Sequence, residues 1–123
     1  MMPKWNVVKA GFAVLTRPES TPNTPVHLQL EPTTVCNLKC AFCVREKNVF
    51  RPKSLSFDRF RELFDQIRPE RVTFAGDGEP TLCPDIWKMV TYAREAGAKT
   101  IITSNWTIGP RLAEKAIEAG LSA

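Results

Sequence analysis

From Val26 onward, short apolar runs alternate with longer segments whose apolar residues recur at helical spacing, and this alternation restricts the chain to a parallel α/β fold. Val26–Glu31 is a strand candidate, stopped by Pro32. Ser56 is a natural N-cap for a helix over Phe57–Ile67, where Phe57, Phe60, Leu63, Phe64 and Ile67 make one apolar face. Pro69 ends it. Arg71–Ala75 is the second strand, and a turn with two glycines follows at Gly76–Pro80. A second helix starts near Pro84, runs to about Ala96 and stops at Gly97. Lys99–Ser104 is the third strand, with Ile101 and Ile102 as adjacent apolar residues. Pro110 opens a third helix, Gly120 closes it, and Leu121 begins what reads as a fourth strand. The order β-α-β-α-β-α with short connections predicts a parallel (βα)3 half-barrel with right-handed crossovers.

Residues 1–25 read differently. A short helix over Trp5–Leu15 leads into a Pro-, Thr- and Ser-rich stretch with little periodicity, so this part is expected to be a leader outside the core. It has no small-residue cleavage site of a signal peptide, and no apolar run approaches membrane-spanning length. The expected location is therefore cytoplasmic. A chain of 123 residues holds about half of the ~250 that a full (β/α)8 barrel takes, and the break just after Leu121 predicts a truncated domain. The net charge of +4 permits an anionic ligand but comes with no dense basic tract of the nucleic-acid-binding kind. Arg45, Lys47, Arg51 and Lys53 gather behind the cysteines, either as a solvated loop or as charge facing an anionic group.

Three of the four cysteines fall in one segment, Cys36-Asn37-Leu38-Lys39-Cys40-Ala41-Phe42-Cys43, directly after the first strand. Ligands of parallel α/β folds bind at that end of the strands. A [4Fe–4S] cluster normally takes four thiolates, so three leave one iron open. Other readings remain: a structural zinc site completed by Cys83, His27 or a carboxylate, or an electron-transfer cluster that needs a fourth cysteine. For Cys83 an ordinary place in the first turn of a helix is the simpler reading, and for His27 a packed or surface role. In the turn, Gly76 and Gly78 allow close backbone approach to a ligand, and Glu79 offers an acceptor for an amine. A tight βα connection explains the same residues.

C-x3-C-x2-C with an aromatic residue, Phe42, before its last cysteine resembles the signature of the radical S-adenosylmethionine (SAM) superfamily. The stretch from Leu28 through Glu31-Pro32-Thr33-Thr34-Val35 to Cys40 is similar to SPASM-type members that modify peptides or other substrates. The resemblance implies a partial TIM-like (βα)6 barrel, of which residues 26–123 would be the N-terminal half. It implies a [4Fe–4S] cluster on Cys36, Cys40 and Cys43, whose open iron chelates the amino and carboxylate groups of SAM. Reductive cleavage of SAM then gives a 5′-deoxyadenosyl radical that abstracts hydrogen from a substrate, a peptide or a small molecule. A reductant such as flavodoxin or ferredoxin is implied as partner. Gly76, Gly78 and Glu79 resemble the family's Gly-Gly-Glu-Pro motif for the SAM amino group, here with Asp77 between the glycines. Ser104 and Asn105 resemble the first positions of a Thr-Asn-Gly motif near SAM, with Trp106 in place of the glycine.

Overall fold

The computed structural model describes residues 5–21, 23–47 and 51–123. Helix α1 (Trp5–Thr16) comes first, then strand β1 (His27–Leu30), α2 (Phe57–Ile67), β2 (Arg71–Phe74), α3 (Ile86–Glu95), β3 (Lys99–Ile102) and α4 (Arg111–Ala119). The three strands form one parallel sheet in the order β1-β2-β3. Cα partners run straight across it, Leu28 with Val72 and Thr100, Leu30 with Phe74 and Ile102. Successive side chains of a strand point to opposite faces. One face therefore carries Val72, Phe74 and Ile102, which are buried in the core with Phe60 and Phe64 of α2 and Ile86, Met89, Val90 and Ala93 of α3.

The strands are shorter than the sequence implies. β1 lacks Val26 and Glu31, β2 lacks Ala75, and β3 ends before Thr103 and Ser104. Past β2 and β3, Ala75 N–H still donates to Leu30 O (3.0 Å) and Thr103 N–H to Phe74 O (3.1 Å), and the chain leaves the sheet only after them. The apolar pair of β3 does not go wholly inside: Ile102 is buried and Ile101 half-buried, because only one face of the sheet is covered by helices. No strand forms at Leu121. The segment after α4 is nevertheless hydrogen-bonded along the outer side of β3, Ser122 N–H to Thr100 O (3.0 Å) and Ile102 N–H to Ala123 O (2.9 Å).

Helix α2 keeps its expected limits because both ends are capped. The Ser56 hydroxyl accepts from Arg59 N–H, and Arg68 in the left-handed region (φ 46°) donates its N–H to Phe64 O. Leu63, expected on the apolar face, is 38% exposed: it lies at the edge of a stripe centred on Phe60 and Phe64. α3 begins two residues later than expected, at Ile86, and a separate 3-10 turn at Pro80–Leu82 precedes it. The Asp85 carboxylate caps across elements, accepting from Phe57 N–H (3.2 Å) at the start of α2 as well as from Lys88 Nζ (3.0 Å). α1 buries none of its residues and is tied to the stretch behind it by Asn6 Nδ2 donating to Thr24 O (2.9 Å). No helix is long and apolar enough to cross a membrane among the described residues.

Candidate functional site

The three loops that leave the C-terminal ends of the strands meet on one edge of the sheet. The first carries the cysteines. It is closed at its base by an antiparallel bridge between Thr33 and Ser54, with Leu55 N–H to Pro32 O (2.8 Å) and Thr34 N–H to Lys53 O (2.9 Å). Long loops lose much entropy when ordered, and this clip restricts the conformations of the cysteine segment. Arg45 Nε donates to Thr34 O (3.1 Å) inside the same loop, so this cation of the basic group braces backbone.

Cys36, Cys40 and Cys43 are free thiols, each half-exposed. Cys43 N–H donates to Cys40 O (3.0 Å), which turns the chain between the last two, and Leu38 N–H points at Cys36 Sγ (3.5 Å). Phe42 stands in solvent, 88% exposed. Among the described residues no three His, Cys, Asp or Glu side chains converge closely enough to hold a single metal ion. Cys83 does not join the trio. It is packed in the hydrophobic core, 2% exposed, with its S–H aimed at Leu55 O, and burial pushes its thiol pKa up. His27 lies at the opposite end of β1, where its Nε2 shares a hydrogen bond with Thr73 Oγ1 (2.8 Å).

The Gly-rich turn is pressed against the first loop. A side chain at Gly78 would collide with the Thr33 carbonyl, and one at Gly76 with the Glu31 side chain. Glu31 Oε1 accepts the N–H groups of Asp77 (2.6 Å) and Gly78 (3.1 Å), and Glu79 N–H donates to Val35 O (2.8 Å). With those N–H groups engaged, the turn can offer a cationic amine its carbonyl oxygens and the Asp77 side chain.

Glu79 joins the second loop to the third. The residue is 3% exposed; its carboxylate Oε1 accepts from Thr81 N–H (3.0 Å), Thr81 Oγ1 (2.6 Å) and Ser104 Oγ (2.6 Å), and Oε2 from Asn105 N–H (2.8 Å). Burial alone would raise its pKa, but the bonds from Ser104, Thr81 and Asn105 together outweigh burial and hold it below the ordinary value. Three residues singled out in the sequence, Glu79, Ser104 and Asn105, are therefore one hydrogen-bonded unit.

Asn105 continues the network into the cysteine loop through Asn37 and Thr107. Trp106, in the position where the resembling motif has glycine, adopts φ 52°, the left-handed conformation that glycine adopts freely and an aromatic residue adopts rarely. Sequence spacing passed over Glu31, Asn37 and Thr107. The available signal for Glu31 was a carboxylate at a strand end facing a neighbouring glycine turn; for the other two it was short polar residues flanking the motifs.

A family model described as the radical SAM superfamily matches residues 30–123. The mycofactocin maturase MftC of Mycobacterium ulcerans (strain Agy99) is 32% identical over 97 residues, 76% of this chain and 26% of that protein. The Fe-coproporphyrin III synthase of Methanosarcina barkeri (strain Fusaro / DSM 804) is 36% identical over 95 residues, 73% of this chain and 24% of that protein. The chain thus spans about a quarter of the length of these curated relatives. Among solved structures, BtrN in complex with AdoMet and 2-DOIA superposes with a TM-score of 0.68 at 21% identity, over 79% of this chain and 43% of that one. Streptococcus suis SuiB bound to S-adenosylmethionine gives 0.63 at 24%, over 87% and 24%. At these identities the likeness is one of fold, and it makes the parallel sheet with its helices a part of a larger barrel of that type. With the model matched from the end of β1 to the last residue, the chain belongs to the radical SAM superfamily.

Proposed function

We propose that this chain supplies the cluster-binding and SAM-amine-binding part of a radical SAM enzyme, with Cys36, Cys40 and Cys43 as ligands of a [4Fe–4S] cluster. The observation that carries this reading is the meeting of the cysteine loop, the Gly76–Pro80 turn and the Ser104–Asn105 turn at one edge of the sheet through Glu79. The donor set suits the group: three free, half-exposed thiols on one clipped loop, with a backbone N–H aimed at one sulfur. Thiols that bind three different irons stand apart, whereas zinc would need four donors around one ion. When bound, such a cluster supplies the electron that cleaves SAM to a 5′-deoxyadenosyl radical for hydrogen abstraction.

The chain's own residues act by holding. Glu79 fixes the second and third loops together, Glu31 holds the N–H side of the glycine turn, and the carbonyl side is left for the amino group of SAM. Exposed Phe42 would cover the cluster. Residues 26–123 are read as the N-terminal half of the core domain, with 1–25 as a leader. A flavodoxin or ferredoxin would deliver the electron in the cytoplasm. The relatives are named a mycofactocin maturase and an Fe-coproporphyrin III synthase. What this region has in common with both is the initiating chemistry, and the substrate, peptide or small molecule, is set elsewhere.

Anaerobic reconstitution with iron and sulfide, followed by metal and sulfide analysis, tests the ligand set. Wild type and Cys83→Ser are expected to hold iron and sulfide alike, and Cys36→Ser, Cys40→Ser and Cys43→Ser to lose most of it. Stoichiometric zinc without sulfide, or loss of the metal in Cys83→Ser, would reject this reading.

A further inference from the structure

Three side chains at this site close a hydrogen-bond ring. Asn37 Nδ2 donates to Thr107 Oγ1 (2.8 Å), Thr107 Oγ1 to Asn105 Oδ1 (2.8 Å), and Asn105 Nδ2 back to Asn37 Oδ1 (3.1 Å). The direction of the ring follows from one backbone group. Thr107 N–H can only donate, and it meets the Asn105 side chain at 3.1 Å, so the atom there is the oxygen. The Asn105 amide nitrogen must then face Asn37, which must answer with its own oxygen. That leaves the Asn37 nitrogen for Thr107, whose hydroxyl accepts it and passes a hydrogen on to Asn105. Each member donates and accepts, the arrangement in which bonds strengthen one another.

The ring joins loops 68 residues apart in sequence. Asn37 follows Cys36 directly, and Asn105 also gives its backbone N–H to Glu79 Oε2. Between the two partners of Asn37 sits Trp106, whose left-handed backbone folds Thr107 back onto Asn105 and whose N–H is held by Ser104 Oγ (3.0 Å). The third loop is thus anchored through Ser104 and Asn105 to Glu79, and the cysteine loop hangs on it through Asn37 alone among the described side-chain bonds.

We infer that Asn37 is a positioning residue: through its ring with Asn105 and Thr107 it fixes the Cys36 end of the cysteine loop against the Glu79 unit, and so sets the distance between the cluster and the turn that receives the SAM amine. This rests on the proposed function. Asn37→Leu is close in size but neither donates nor accepts, Thr107→Val keeps shape but neither donates nor accepts, and Thr107→Ser retains the ring.

Two measurements test it on the full chain. In the metal-free protein, the rate of Cys36 alkylation by iodoacetamide is read against Cys40 and Cys43 by peptide mass spectrometry. In the reconstituted protein, the SAM concentration for half-maximal change of the reduced-cluster EPR signal is read. Asn37→Leu and Thr107→Val are expected to speed Cys36 labelling severalfold and to raise the SAM half-saturation about tenfold, the effect of the lost bonding between the two loops. Thr107→Ser should stay within about twofold of wild type in both. The inference is overturned if Asn37→Leu and Thr107→Val also match wild type, or if Thr107→Ser behaves like Thr107→Val. Should wild type itself take up no cluster, the proposed function fails, while the labelling rates still decide whether the ring holds Cys36.

Discussion

A carboxylate withdrawn from water persists as an anion only where donors replace the water, and Glu79 has four of them. Its folded pKa lies below the ordinary 4.5. Such a group adds stability above its unfolded pKa and loses that contribution as pH falls through the folded value. Glu79→Gln should therefore cost roughly 2 kcal/mol at pH 7, because an amide cannot accept all four bonds. In chemical unfolding followed against pH, the gap to wild type should close below pH 4.5, and a gap that widens there would contradict this account. Gly78→Ala is the sharper lesion. Its added carbon meets the Thr33 carbonyl rather than a flexible side chain, so the two loops must part. A loss of roughly 2–3 kcal/mol is expected in the same assay, against near-neutral behaviour for Gly11→Ala, which meets nothing. Spacing in the sequence picked out the cysteines and Glu79 because their chemistry is local to a motif. Asn37, Glu31 and Thr107 matter through partners 46 to 70 residues away, and no periodicity carries that information.

At the scale of elements, the agreement between sequence and fold follows the strength of the local signal. α2 was legible to the residue because a Ser N-cap, an amphipathic stripe and a following proline all say the same thing. Ser56→Ala should lower stability by about 1 kcal/mol in thermal or denaturant unfolding without affecting iron content. An unchanged stability would mean that the Asp85 carboxylate, which also reaches the first turn of α2, is the cap that counts. The strands are shorter than their side-chain pattern: regular pairing stops at Leu30, Phe74 and Ile102, although Ala75 and Thr103 each keep one more bond to the neighbouring strand. The 3-10 turn at Pro80–Leu82 was missed. Its residues begin inside the glycine-rich turn, and the cap that forms it, Glu79 accepting from Thr81 N–H, has no signature of its own in the sequence.

The molecule as a whole is a one-sided layer: three strands covered by α2 and α3, with the candidate site along the edge where three loops emerge. The fold class was legible because βα alternation with short connections leaves few topologies open. The sequence singles out the cysteines by their spacing, while the bonds among three separate loops emerge only in the fold. EPR of the anaerobically reconstituted, reduced protein, recorded with and without saturating SAM, tests the central claim most directly. The account predicts a [4Fe–4S] signal that persists in Cys83→Ser and changes when SAM is added, because one iron carries no cysteine. A cluster signal that SAM leaves unmoved, or one that disappears with Cys83, would contradict it.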